Sequence, residues 1–188
     1  MTASIPIART ARLLLDGGVI AYPTEGVYGI GCIPAYGEAV ERIFAIKGRR
    51  ADAGLILVAP AIEYFSPWIA PAPEELDRLF RPTDYPTTWI VTARADCPAW
   101  LTGGRMTLAV RLTEHPVVAA LVAASGSALV STSANRSGRP PARSALQARR
   151  FLGDCLDAVV GGPLGNATGP SEIRVALDDR LIRPRPSK

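Results

Sequence analysis

Lysine is nearly missing: of 21 cationic residues only Lys47 and Lys188 are lysine, and the chain has one histidine, His115. His115 precedes Pro116 at an expected helix start, where capping or exposure is the ordinary role of such a residue. With no GxSxG elbow beside it, a Ser-His-Asp triad and a His-rich metal site are both disfavoured. Three cysteines, Cys32, Cys97 and Cys155, lie far apart without CxxC spacing, which argues against a disulfide framework and against a zinc site. No GxxxxGK[ST] loop is present, and Gly26, Gly29 and Gly31 do not complete GxGxxG. Aromatics make up 6% and do not interleave with basic residues, so a stacking platform for single-stranded RNA is poorly supplied. The longest pure apolar run, residues 117–124, is far too short to cross a bilayer. The opening MTASIPIART lacks a long apolar segment, so no secretion signal is expected. The expectation is a soluble cytoplasmic protein with no membrane association.

What is present is a chain of 188 residues with 48% apolar and 20% charged residues. That is material for one sizeable core, and residues 1–188 are expected to form a single domain. A net charge of +4 permits a polyanionic partner without requiring one. The arginine bias has genomic base composition as its plain explanation, yet it makes Lys47 conspicuous.

Helical spacing of Ile7, Ala11, Leu14 and Leu15 predicts a first helix closed by Gly17-Gly18. Further helices are expected at residues 37–46, 73–80, 116–124 and 144–152. Strands are expected at 19–22, 55–59, 88–92, 107–112 and 128–131, with a weaker pair at 158–160 and 172–176. Strands and helices interleave without strict alternation, which favours an α/β domain with a mixed twisted sheet and flanking helices. The proline-rich tail, Arg183-Pro184-Arg185-Pro186, is expected to lie extended on the surface.

Several strands run into polar residues. Pro23-Thr24-Glu25-Gly26 follows the first, Arg111 sits inside TLAVRLT, and Ser131, Thr132, Ser133 and Asn135 end another. Ligands of open α/β sheets sit beyond strand ends, so these groups can converge on one crevice. An arginine within a strand either reaches the surface or meets an anion, because an unpaired buried guanidinium costs several kcal/mol, roughly. The Lys47-Gly48-Arg49-Arg50 cluster follows a helix end, where cations are favoured by the macrodipole anyway. The Ser/Asn loop reads as a solvated turn, or as a nest of N–H groups for phosphate.

Together the segments YPTEGVYGIGC, IKGRR, TLAVRLTEHP, LVSTSANRSGRPP and GPSEI, in this order over about residues 20–173, resemble the YrdC/TsaC family of threonylcarbamoyl-AMP synthases in its short, single-domain bacterial form. The resemblance implies a YrdC-like mixed α/β fold with a concave basic cleft. It implies a nucleotidyltransferase that converts L-threonine, bicarbonate and ATP to L-threonylcarbamoyl-AMP and pyrophosphate. That product feeds N6-threonylcarbamoyladenosine formation at position 37 of tRNA, through downstream threonylcarbamoyl-transfer proteins. It further implies roles: Lys47 and Arg49 in catalysis; Thr24, Arg111, Ser131 and Ser171 around threonine; and Lys47, Arg50, Thr107, Ser133, Asn135 and Arg185 on ATP, with Arg183 the alternative to Arg185. Two positions depart from the family pattern: Arg50 stands where proline is common, and Tyr85 in DYPTT where glycine is normal.

The chemistry suits the residues. Carbamate, threonine carboxylate and triphosphate repel one another, and a cleft holding Lys47, Arg49, Arg50 and Arg111 screens that repulsion and aligns them. No protein nucleophile is needed. Mg²⁺ is expected to accompany ATP on its phosphates without a dedicated protein metal site. Lys47, placed after a helix end, is expected to bury little. The alternative from another class is a non-enzymatic module that binds rRNA or tRNA on the same basic surface, and weak RNA binding is compatible with either reading.

Overall fold

The computed structural model describes residues 6–186, so Lys188 and the first five residues of the opening segment lie outside the described residues. Helix α1 (Ile7–Leu15) buries Ala11 and Leu14 and stops before Gly17, whose φ of 82° is available to glycine at little cost. Strand β1 (Ile20–Pro23) is buried throughout and pairs antiparallel with β2 (Tyr28–Gly31). Sequence periodicity does not predict β2, because Gly29 and Gly31 interrupt the pattern of a strand. Packing is the reason for the second glycine: a Cβ on Gly31 would stand 1.8 Å from the Val130 carbonyl oxygen.

Helix α2 (Gly37–Lys47) ends in a left-handed Gly48, with Gly48 N–H donating to the Ala45 carbonyl and Arg49 N–H to that of Phe44. Its buried stripe is Val40, Ile43, Phe44 and then Lys47, one turn further on the same face. The expectation that Lys47 buries little is therefore wrong: the residue is 5% exposed, since the helix extends one residue beyond the expected end and carries its side chain inward. His115 likewise departs from its expected capping or exposed place. It precedes α5 (Pro116–Ser125), caps nothing with its side chain, and is buried with Nε2 3.2 Å from the Pro163 carbonyl.

The remaining elements are β3 (Ile56–Ala59), α3 (Pro73–Leu79), β4 (Thr87–Thr92), α4 (Ala99–Thr102), β5 (Thr107–Leu112), β6 (Leu129–Ser133), α6 (Ala145–Leu152), β7 (Ala158–Val159), β8 (Glu172–Val175) and β9 (Leu181–Arg183). The short α4 and β9 are not expected from sequence. The strands form one mixed sheet in the order β7-β1-β2-β6-β3-β5-β4-β8-β9. β3 runs parallel to β5, β4 parallel to β8 and β1 parallel to β7, while the other neighbours are antiparallel. α5 packs on α1 and on β1 and β3, and α6 packs on β1 and β7. Among the described residues no helix is long and apolar enough to cross a membrane.

Strand β6 joins the two halves of the sheet. Leu129, Val130 and Ser131 pair with β3, and Thr132 and Ser133 pair with β2. The period of two places Ser131 and Ser133 on one face. Strand β5 repeats this device: Leu108 and Val110 are buried in the core, while Thr107, Ala109 and Arg111 face the other side.

Candidate active site

The face carrying Thr107, Ala109 and Arg111 forms the floor of an open cleft of about 630 Å³, within the rough 300–1,000 Å³ span of small-molecule sites. Register aligns Ser131, Ile56, Ala109 and Ile90 as one row across β6, β3, β5 and β4, all lining the cleft. The floor is thus apolar between polar ends. Around it stand five cationic side chains, Lys47, Arg49, Arg105, Arg111 and Arg183, against one carboxylate, Glu25.

Of the residues singled out from sequence, Thr24, Lys47, Arg49, Thr107, Arg111, Ser131, Ser133, Asn135 and Ser171 line this cleft together. Arg50 and Arg185 do not. Arg50 is exposed and turned to Asp52 at 2.9 Å, and Arg185 lies in the exposed tail. Arg183 is the tail arginine that reaches the cleft, because pairing of Ile173 with Arg183 holds it at the end of β9. Arg183 donates to the Ser171 carbonyl at 2.7 Å through Nη2.

Lys47 Nζ reaches across to the end of β6. It donates to the Ser133 carbonyl at 2.6 Å, the Asn135 carbonyl at 3.1 Å and Asn135 Oδ1 at 3.0 Å. Ser133 Oγ in turn donates to Asn135 Oδ1 at 2.7 Å. The lysine therefore fixes the shape of the Ser-x-Asn turn as well as charging the cleft. Burial, and then the charge of Arg49, lowers the Lys47 ammonium to a pKa of about 8. Burial, followed by the nearby Arg111 and Arg49 charges, lowers Arg183 as well. The buried, like-charged surroundings that lower Lys47 and Arg183 are relieved by an anion placed among them.

Arg111 does not reach the surface: it is 7% exposed and meets an anion, Glu25, with Nη2 3.2 Å from Oε2. Burial acts to raise the Glu25 carboxyl, but the Arg111 charge and a hydrogen bond from Thr113 Oγ1 outweigh it and hold it below its ordinary value. Arg111 Nε and Glu25 Oε2 are both buried without a hydrogen-bond partner among the described residues, so the two groups are held as an ion pair whose hydrogen-bonding capacity is not filled. On the neighbouring wall Gly29 makes room for two predicted groups. A Cβ there would lie 3.2 Å from Ser131 Oγ and 3.5 Å from the Thr24 methyl. Thr24 Oγ1 donates to the Val27 carbonyl at 2.7 Å, and Ser171 Oγ lies 2.7 Å from Thr88 Oγ1.

Sequence reading misses Glu25 as the partner of Arg111, Arg105 as a wall residue and Thr88 as the partner of Ser171. Glu25 lies within a conspicuous polar turn, and the unpaired strand arginine is the signal that a carboxylate has to be near it. Arg105 follows two glycines in an irregular loop and carries no pattern. Among the described residues no cluster of three or more His, Cys, Asp or Glu side chains could hold a metal ion.

A family model described as "Telomere recombination" (Sua5/YciO/YrdC) matches residues 12–184. The threonylcarbamoyl-AMP synthase of Nitrosococcus oceani is 49% identical over 174 residues, covering 92% of this chain and 94% of its own length. That of Halorhodospira halophila is 47% identical over 183 residues, 97% of this chain and 96% of its own. Among solved structures, P. abyssi Sua5 complexed with L-threonine matches with a TM-score of 0.86 at 31% identity over 95% of this chain. Only 53% of that longer protein is covered, so the chain spans about half its length. E. coli YciO matches with a TM-score of 0.78 at 26% identity, covering 95% of this chain and 87% of that one.

Proposed function

The chain belongs to the Sua5/YciO/YrdC family, and from that premise we propose that it is an ATP-dependent synthase of L-threonylcarbamoyl-AMP. The threonine amine combines with bicarbonate, with loss of water, to give a carbamate. A carbamate oxygen then attacks the α-phosphorus of ATP, and pyrophosphate leaves. The observation that carries this reading is the crowd of five cations around an apolar floor, with a single carboxylate among them. Each reactant carries a negative group, and the cleft neutralises all three in one place.

In this reading Arg111, which lines the cleft and among the described residues has no hydrogen-bond partner of its own, holds the threonine carboxylate, and Thr24, Ser131 and Ser171 frame the rest of the amino acid. Lys47 and Arg49 stand between that pocket and the phosphates. Ser133, Asn135 and Thr107 face the nucleotide, and Arg183, rather than Arg185, approaches it from the tail. ATP arrives as its Mg²⁺ complex. The single carboxylate of the wall is turned to Arg111, so that ion would be held by the nucleotide's phosphates rather than by the protein and would screen their charge. Demand for ATP and three free cysteines suit the cytoplasm, where the product passes to proteins that modify tRNA.

The test is incubation with threonine, bicarbonate and ATP, with the adenylate identified by mass and pyrophosphate followed in parallel. Release that requires all three substrates is the expected result. A protein that only binds RNA releases none, and that outcome would return the cleft to the rival reading.

A further inference from the structure

Residues 165–171 connect the β7 side of the sheet to β8 without regular secondary structure, yet they are tied down along their length. Gly165 N–H donates to the Thr24 carbonyl at 3.1 Å and Ala167 N–H to that of Glu25 at 3.0 Å. The two backbones touch: a Cβ on Gly26 would stand 2.0 Å from the Gly169 carbonyl oxygen. At the far end, Ser171 contacts Thr88 and accepts from Arg183. The segment is therefore a strap that links Thr24 and Glu25 on one wall to Ser171 on the other.

Two side chains outside the cleft lining fasten it. Arg143 Nη1 donates to the Gly26 carbonyl at 3.2 Å and the Thr168 carbonyl at 3.1 Å, joining the strap to the turn beneath. The Tyr85 hydroxyl accepts from Gly169 N–H at 3.1 Å and offers its proton to the Gly169 and Pro170 carbonyls at 3.1 and 3.2 Å. We propose that Tyr85 and Arg143 are positioning residues that hold this strap closed over the amino-acid side of the cleft and so set affinity and selectivity for the amino acid. The proposal rests on the synthase reading of the cleft. Tyr85 stands next to Pro86, which itself lines the cleft, so the hydroxyl couples the start of β4 to the wall that carries Ser171. A tyrosine at this position supplies an anchor that a glycine cannot.

Tyr85→Phe keeps the ring and removes only the anchor. Losing those hydrogen bonds should raise the threonine KM about fivefold to tenfold, with kcat at saturating threonine and the ATP KM within about twofold of wild type. Discrimination between threonine and serine should narrow as the pocket loosens. Arg143→Met, which keeps a stem but removes the Nη1 that donates to both carbonyls, should move threonine KM in the same direction. Threonine binding measured by calorimetry without ATP gives a second readout independent of turnover. If wild type binds threonine and Tyr85→Phe binds it equally well, the clamp is wrong. A loss shared equally by kcat and both KM values, with a fall in Tm, makes Tyr85 a packing residue and overturns the proposal too. Wild type that makes no adenylate and binds no threonine overturns the synthase reading beneath it.

Discussion

At the scale of single residues, Arg111 and Lys47, two of the cations picked out from sequence, differ in what they hold. Arg111 is a buried fork with one arm on Glu25 and Nε unpartnered. Arg111→Ala should raise the threonine KM far more than the ATP KM, by about 30- to 150-fold, the equivalent of roughly 2–3 kcal/mol for a charge-assisted contact. Arg111→Lys, which keeps a charge beside Glu25 but not the fork, should lose less; threonine affinity within twofold of wild type in the alanine variant would misplace the pocket. Lys47 is braced against the Ser133 and Asn135 carbonyls, so Lys47→Ala costs both folding and chemistry. Adenylate formation should fall about 10²-fold or more, and Tm should fall with it, because three acceptors lose their donor. The charge on Lys47 is present below its pKa of about 8 and is lost above it. In the free enzyme kcat/KM for ATP should therefore decline as pH rises through about 8, and Lys47→Arg, which cannot deprotonate, should remove that limb. An unchanged limb in the arginine variant would assign it to another group. The grouping of the candidate site was legible here because motifs carry it: Thr24, Lys47, Arg111 and Ser131 all line one cleft. Burial of Lys47 was missed, although its place one turn after Ile43 and Phe44 signals it, because a charged residue beside Gly48 reads first as a solvated helix end. Glu25 as a partner was not legible, since its distance from Arg111 in sequence is bridged only by the sheet.

At the scale of elements, periodicity gave most helices and strands to within a residue or two and failed where packing overrides it. α1, α5 and β5 show their buried positions in the sequence. β2 hides because its two glycines look like a loop, although they exist to let β6 come close. β6 in turn depends on that closeness, since its last two residues leave β3 and pair with β2. Gly31→Ala places a methyl 1.8 Å from the Val130 carbonyl oxygen, closer than any real contact allows. The strands must part, at a cost of about 1–3 kcal/mol by analogy with overpacked cores. That corresponds to roughly 2–12 °C in Tm for a chain of this size, measured by thermal unfolding. Ser131 and Ser133 ride on the displaced strand, so threonine and ATP affinities should both weaken. A Gly31→Ala variant with unaltered Tm and kinetics would mean that the sheet gives at this point without strain. β9 escaped sequence reading for a different reason: three residues in a proline-flanked tail carry no period, and only pairing with β8 makes them a strand.

For the whole molecule, three buried groups of opposing sign lead the alkaline dependence of stability, and Cys97 and Tyr28, both raised by burial, add to the decline. Lys47 has a folded pKa of about 8 against an ordinary value of 10.5, so between those limits the unfolded chain holds the extra proton and stability rises with pH. Cys32 is the reverse: burial raises its thiol from 9.0 to about 12. Above pH 9 the unfolded chain releases that proton while the native state keeps it, and stability falls. Tyr22, fully buried, is raised from 10.0 by the same cause and adds a second decline beginning near pH 10. Each group contributes a slope of about 1.4 kcal/mol per pH unit within its window. Stability should therefore climb between pH 8 and 9, level off between 9 and 10 where Cys32 offsets Lys47, begin to fall above 10, and fall more steeply above 10.5 where Lys47 no longer opposes the acids. Chemical denaturation at fixed pH steps measures the curve. Cys32→Ala removes one acid, so the plateau between pH 9 and 10 should become a rise and the decline above 10 should flatten. Lys47→Met removes the base, and its curve should be flat to pH 9 and fall from there. If both variants retain the wild-type shape, neither group governs the alkaline stability of the protein, and its decline must come from repulsion among exposed charges.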